Sequence, residues 1–257
     1  MSRYELNEKV IWITGASSGI GKSLALALAE NNIVVASSRN EKRLEALAKT
    51  NPNIQALPAD VTNPENLASV ARNIQRGFGR LDLLIANAGD CIYLDVNAFD
   101  SFAAKSMIDT NYLGFVYTLE AALPLLRQSK APYICAISSS SIYAGLPRAA
   151  AYSASKAAIS QFMECLAADL RQEGFHLSVV HPGFVDTPLT QANDFPMPFM
   201  VSPQQSVEHI LKGLERTQFN IEFPKRLTLL LKSLKLAPPF IRHRITSKLS
   251  RNASHGY

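Results

Sequence analysis

Tyr152 and Lys156 stand four residues apart in the run Ala151-Tyr152-Ser153-Ala154-Ser155-Lys156. On a helix that spacing puts both side chains on one face, a turn apart. A phenol ionises near pH ~10, and a neighbouring ammonium favours the phenolate. Bringing the phenol to neutrality takes about three pH units, or roughly 4 kcal/mol. A lysine and a second positive group, such as an oxidised nicotinamide, could share that task. The result would be an acid–base group working at an oxygen during hydride transfer. Taken alone, Tyr-x-x-x-Lys is equally an ordinary pair on a helix surface.

A second constellation lies near the start. Thr14-Gly15-Ala16-Ser17-Ser18-Gly19-Ile20-Gly21 follows an apolar strand and opens a helical pattern. Glycines there permit a tight turn and close approach of a pyrophosphate, which the helix N-terminus attracts. The alternative is a tight turn that binds nothing. About 20 residues past such a loop, an acid would hold the 2′-hydroxyl of NAD. Here Ser37-Ser38-Arg39 fills that place. A guanidinium can fork onto a 2′-phosphate that a carboxylate would repel, so Ser38 and Arg39 point to NADP, with NAD as the alternative. Arg39 could also be a solvated charge at a loop start, and Glu41 lies close by.

These residues need a scaffold. Strand patterns fall at Val10–Thr14, Ile33–Ser37, Ile54–Ala59, Leu81–Ala86, Tyr133–Ile137, Leu177–His181 and Asn220–Phe223. Helical patterns lie between them, at Gly19–Asn31, Glu41–Lys49, Pro64–Phe78, Phe99–Leu126, Ala151–Glu173 and Pro203–Arg216. The alternation predicts an α/β fold, a single-domain Rossmann-type doubly wound parallel sheet with helices on both faces. Strands as apolar as Leu83-Leu84-Ile85-Ala86 suit burial on both sides.

The chain has 257 residues, 47% hydrophobic and 18% charged, which fits one folded domain rather than a disordered chain. Three scattered cysteines (Cys91, Cys135, Cys165) argue against a disulfide framework or a metal site and suit a reducing cytoplasm. The first residues carry no apolar leader, and no run is long enough for a membrane span, so a cytoplasmic location is expected. The net charge of +5 is uneven. From Ile221 to Tyr257 eight basic residues face one acid, net +7, which leaves −2 for the rest. In Arg226–Leu236, Leu227, Leu230, Leu231 and Leu234 repeat at helical spacing, with Thr228, Lys232 and Lys235 opposite. This basic amphipathic extension, residues 225–257, reads either as a helix docked on its own domain or a partner subunit, or as a peripheral contact with an anionic membrane. Aromatics are not interleaved with the basic residues, so no nucleic-acid partner is expected.

The glycine loop, Asn87-Ala88-Gly89 after one strand, Tyr152-x-x-x-Lys156 and Pro182-Gly183 after another occur in the order and context that resemble the short-chain dehydrogenase/reductase family. The resemblance spans about Lys9 to Phe223 and implies a catalytic domain over residues 1–224. It implies a pyrophosphate loop shaped by Gly15, Gly19 and Gly21 and lined by Ser17, Ser18 and Ile20. It places Asp60 and Val61 at the adenine, where Asp60 is otherwise a turn or capping aspartate before Pro64. Asn87, Ala88 and Gly89 would lie beneath the ribose. Pro182, Gly183, Val185 and Thr187 would grip the carboxamide. The catalytic set it implies is Asn111, Ser139, Tyr152 and Lys156. Ser139 lies 13 residues before Tyr152, with Ser138 and Ser140 as alternatives in the run of four serines. Lys156 would also bind the ribose, and Asn111 would hold a relay water. His181, before Pro182, reads as structural.

The implied activity is hydride transfer between a nicotinamide and a carbonyl or secondary alcohol. Leu189 and Phe195-Pro196-Met197-Pro198-Phe199-Met200, in a substrate loop at 188–203, suit an apolar, lipid- or steroid-like ketone. That loop could instead be packed on the core. A 3-ketoacyl thioester is the alternative substrate, and a non-catalytic dinucleotide-binding regulator the alternative class. Family dimers pair helices like Phe99–Leu126 and Ala151–Glu173, so a homodimer or homotetramer is expected.

Overall fold

The computed structural model describes residues 3–191, 193 and 195–249; the end of the basic extension, including Arg251, and two positions of the 188–203 loop lie outside them. The elements run β1 (Val10–Thr14), α1 (Gly19–Leu28), β2 (Ile33–Ser37), α2 (Glu41–Ala48), β3 (Ile54–Ala56), α3 (Pro64–Phe78), β4 (Leu83–Ala86) and α4 (Ser101–Met107). They continue with α5 (Gly114–Leu126), β5 (Tyr133–Ile137), α6 (Ala150–Leu170), β6 (His176–Pro182), α7 (Pro188–Gln191), α8 (Pro203–Glu215), β7 (Asn220–Phe223), α9 (Lys225–Leu236) and α10 (Pro239–Ser247). The seven strands form one parallel sheet in the order β3-β2-β1-β4-β5-β6-β7. This is the doubly wound sheet that the alternating pattern predicts.

Alternation along each strand divides the core. Ile11 and Ile13 of β1 pack with Leu24 and Leu28 of α1, Leu44 of α2 and Ile210 of α8 on one face. Val10 and Trp12 join Leu67 and Ile74 of α3, Leu119 of α5 and Met163 of α6 on the other. Successive side chains of a strand point to opposite faces, so both faces of β1 are apolar and both are covered. Trp12 still satisfies its indole N–H, which donates to Ser37 Oγ at 3.0 Å. The strand order reverses between β1 and β4, and the carboxyl ends there open the crevice where ligands of such sheets bind.

Several boundaries differ from the sequence expectation. β3 stops at Ala56, because Pro58 has no N–H to offer the ladder. α1 ends at Leu28, where Asn32 Nδ2 takes the Leu28 carbonyl at 2.8 Å. The expected helix Phe99–Leu126 is α4, a π-helical turn at Ile108–Leu113, and α5. In the extension, α9 turns Leu227, Thr228 and Leu231 inward and leaves Leu230 60% exposed. Thr228 was expected opposite the stripe; its hydroxyl donates to the Pro224 carbonyl at 3.0 Å, which lets it enter the buried face. Among the described residues no helix is long and apolar enough to cross a membrane.

Candidate active site

A cleft of about 330 Å³ runs along the carboxyl ends of the strands, from Arg39 past the glycine loop to Tyr152. All the expected site residues line it except Gly21 and Asn111. Both of these lie behind the wall. A Cβ at Gly21 would fall 2.4 Å from Asn87 Nδ2 and 2.5 Å from the Gly15 carbonyl oxygen, so only glycine fits beneath the loop. Asn87 Nδ2 donates to the carbonyls of Thr14 and Gly15, at 3.0 and 3.1 Å. Thr14 Oγ1 accepts from the N–H groups of Asn87 and Ala88. The end of β4 therefore clamps the loop that follows β1.

Gly15 and Gly19 have φ of +66° and +53°, in the left-handed region where a side chain is strained. The turn delivers the chain into α1 with Ser18 at the N-cap making no side-chain cap bond, and with no acid in the first turn. The first N–H groups of α1 thus remain open to an anion in the cleft. A pyrophosphate matches that donor set, and the cleft continues past it to Arg39 and Asp60 on one side and to Tyr152 and Lys156 on the other. The residues present fit a dinucleotide.

At one end, Ser38 Oγ accepts from the Asn40 N–H at 3.1 Å, and Asn40 caps α2. Arg39 is exposed and forms no salt bridge among the described residues. Asp60 Oδ1 accepts from the Thr62 N–H and hydroxyl, at 2.9 and 2.8 Å. The aspartate thus builds a turn while facing the cleft.

At the other end α6 carries Tyr152 and Lys156 on one face. Ser138 turns away, its hydroxyl donating to the Lys156 carbonyl at 2.9 Å and pairing with Ser160. Ser140 and Ser141 are buried in a 3-10 turn. Ser139 is the serine that faces the phenol and favours its ionised form. Burial outweighs that help and pushes the Tyr152 phenol up to about 12, with Cys91 adding in the same direction. The expected lowering of the phenol by its lysine is thus not present in the protein alone. Lys156 is itself pushed down to about 8 by burial, and its ammonium donates to the Ile137 carbonyl at 2.9 Å.

Asn111 sits in the π-helical turn with no exposed surface. It accepts from the Asp90 N–H at 2.8 Å and donates to the Asp90 carbonyl and Ser155 Oγ, at 3.0 and 2.9 Å. A Cβ on Gly89 would lie 3.0 Å from both Asn111 Oδ1 and Lys156 Nζ, so these three positions converge. Thr187 lies against the glycine loop, its Cγ2 3.1 Å from where a Gly19 Cβ would stand. Val185 is buried, bridged to Val201. His181 is buried, with Nε2 on Asn220 Oδ1 at 3.1 Å, a structural arrangement.

Sequence reasoning missed the neighbours of this end. Asp90, Thr110, Ile137 and Thr190 also line the cleft. Cys91 is close enough to Tyr152 and Lys156 to influence both. Tyr93 stacks edge-on against Phe195 at 5.7 Å, and Phe195 against Phe184 at 6.0 Å. For Asp90, Cys91 and Tyr93 the available signal was position, just after Asn87-Ala88-Gly89, and Phe195 already stood in the expected substrate loop.

The short chain dehydrogenase family signature matches residues 9–196. An uncharacterized oxidoreductase of Myxococcus xanthus is 36% identical over 239 residues, 91% of this chain and 94% of that protein. The 11-beta-hydroxysteroid dehydrogenase 1A of Arabidopsis thaliana is 40% identical over 73% of this chain and 55% of its own length. A Burkholderia cenocepacia short chain dehydrogenase solved with NADP superposes with a TM-score of 0.82 at 26% identity, over 96% of this chain and 99% of that one. The chain belongs to the short chain dehydrogenase family, a class of NAD(P)-dependent oxidoreductases acting on CH–OH groups.

Proposed function

We propose that the protein is an NADP-dependent reductase of apolar, lipid- or steroid-like ketones. The observation that carries this is a single cleft with Arg39, free of any carboxylate partner among the described residues, at one end and the Ser139–Tyr152–Lys156 group at the other. Ser38 and Arg39 would hold the 2′-phosphate, Asp60 and Val61 the adenine, and the open N-terminus of α1 the pyrophosphate. Asn87, Ala88 and Gly89 would lie under the ribose. Lys156 would bind its hydroxyls, and Pro182, Gly183, Val185 and Thr187 the carboxamide. When bound, the reduced dinucleotide supplies a hydride to the carbonyl carbon.

The chain's own residues do the rest. Ser139 donates a hydrogen bond to the carbonyl oxygen. Tyr152, kept protonated by burial, delivers a proton to that oxygen as negative charge develops. Lys156, charged at neutral pH, stabilises the phenolate left behind. Asn111 would seat a water that returns the proton. Tyr93, close enough to Tyr152 to interact with it, heads an aromatic row with Phe195 and Phe184 that would wall the substrate side and suit a large apolar ketone. The name of the Arabidopsis relative favours the same class. A 3-ketoacyl thioester is the second reading, favoured by a 3-ketoacyl-ACP reductase from Sinorhizobium meliloti at 26% identity and a TM-score of 0.77. Pairing of α5 and α6 between copies would give a homodimer or homotetramer.

The test is titration of NADPH and NADH against wild type and Arg39→Ala. Charge-assisted hydrogen bonds of about 1.5–3 kcal/mol predict a loss of NADPH affinity of roughly ten- to a hundredfold, with NADH unchanged. Equal affinity for both cofactors, indifferent to the substitution, would remove the NADP assignment and leave the family intact.

A further inference from the structure

We infer that α9 and α10 form a docking surface for an anionic phospholipid bilayer, next to the substrate wall. The inference rests on the C-terminal helices and not on the proposed substrate. α9 is apolar on two sides. Its inner face packs Leu227 and Leu231 on Ala144, with Tyr143 and Phe184 against the same cluster. Its outer face leaves Leu229, Leu230 and Leu236 at 65%, 60% and 86% exposure. α10 has no buried residue. Ile241 and Ile245 stand four residues apart in it, both exposed, with Phe240 73% exposed beside them and Leu249 exposed in the turn that follows. That spacing places the two isoleucines on one face. Contiguous apolar surface of this kind marks an interaction site.

Charge decides what covers it. Residues 225–249 contain seven Lys and Arg and no Asp or Glu. Among the described residues Lys232 alone of these is matched by an acid, Glu222 of β7. A second copy meeting this surface about a two-fold axis would set the same cations against one another, which disfavours self-association here. A mainly aliphatic face with the single aromatic Phe240 gives a nucleic acid little to stack on. A bilayer answers both features: the leucines and isoleucines enter the boundary between headgroups and acyl chains, and the flanking cations meet anionic headgroups. Of the expected membrane stripe of Leu227, Leu230, Leu231 and Leu234, Leu230 faces outward, whereas Leu227, Leu231 and Leu234 belong to the inner cluster. Those residues dock α9 on the protein, and the opposite side with α10 faces the lipid. Because α9 packs on Phe184, and Phe184 on Phe195, the docked helix lies beside that aromatic row.

The experiment is co-sedimentation of the full-length protein with vesicles of phosphatidylcholine alone or with about a third phosphatidylserine, at low and high salt. Binding to the anionic vesicles at about 0.1 M salt and release at about 0.5 M are expected, with no binding to neutral vesicles. Each basic residue near such a surface contributes about fivefold, so Arg244→Gln with Lys248→Gln lowers the partition coefficient roughly 30-fold. Ile241→Asp with Ile245→Asp abolishes binding. Both pairs of positions are exposed, and thermal unfolding verifies that the fold is kept. Failure of the wild type to bind anionic vesicles, or equal binding by the Ile241→Asp/Ile245→Asp variant, overturns the inference. So does a change in oligomeric state of that variant without vesicles, measured by light scattering, which would assign the surface to a second copy.

Discussion

Lys156 is the clearest place to measure what this site costs the fold. The side chain is 4% exposed and forms no salt bridge among the described residues. Its ammonium donates a hydrogen bond to the Ile137 carbonyl at 2.9 Å. Burial lowers its pKa from 10.5 to about 8. Between those values the unfolded chain binds more protons than the folded one, so stability rises with pH across the window. Below about 8 the full penalty stands, about 3 kcal/mol at 1.36 kcal/mol per pH unit. Lys156→Met removes the charge and keeps an apolar stem of similar length, but it leaves the Ile137 carbonyl without its donor, at about 1–2 kcal/mol. The variant is therefore predicted to be more stable than wild type by about 1–2 kcal/mol at pH 7 and less stable by a similar amount above pH 10.5. Urea unfolding of the cofactor-free protein across that range reads both stabilities. Tyrosines and cysteines that titrate in the window are present in both proteins, so the crossing isolates the lysine. Parallel pH curves, or a variant less stable at pH 7, would refute the claim that an uncompensated ammonium is buried there. Under the proposed function turnover is expected to be lost in either case.

Two further outcomes follow from the clamp and from the tail. Gly21→Ala forces a methyl to within 2.5 Å of the Gly15 carbonyl and Asn87, and is expected to cost about 1–3 kcal/mol and at least tenfold in dinucleotide affinity. Gly145→Ala, with open space around it, serves as the control; equal affinity in both variants would remove Asn87 as the clamp of the loop. At Glu222, burial works against ionisation, but the hydrogen bonds from Lys232 and Tyr143 outweigh it and hold the carboxyl below its ordinary 4.5. The lowered folded value means stability present above pH 4.5 is lost as pH falls through it, and Lys232→Met should shrink that loss in a series of melting temperatures. Identical losses in both proteins would show that Lys232 does not anchor α9 to β7.

The sequence carried β1, β2, β5, β7 and α3 to the residue, because each is a short β-branched run or a capped amphipathic helix between clear breakers. It carried the cleft because glycine loop, strand ends and Tyr-x-x-x-Lys are local signals whose convergence follows from a parallel sheet. Three things were not legible. The π-helical turn at Ile108–Leu113 inserts its irregularity without breaking the apolar pattern on either side, so α4 and α5 read as one helix. The leucines of α9 lie all round it, and periodicity cannot choose the inner face when Leu229 and Leu230 stand outside and Leu227 and Leu231 inside. The protonation of Tyr152 depends on burial, which spacing from Lys156 does not report.

That last gap bears on direction. The phenol near 12 and the ammonium near 8 are both displaced by burial, one upward and one downward. Spacing alone suggests a phenolate poised as a base. Burial instead leaves Tyr152 protonated across the neutral range, with Ser139 as the one side chain opposing it and a lysine whose charge is costly to keep. A site so arranged starts as a proton donor to an oxygen gaining negative charge, which is the demand of carbonyl reduction. Alcohol oxidation would need Tyr152 to accept a proton, and the chain by itself offers too little positive charge to make it do so. A second cation beside the phenol would be required. Under the proposed function the same residues would serve both directions, and Tyr152 would enter the reductive one with its proton already in place.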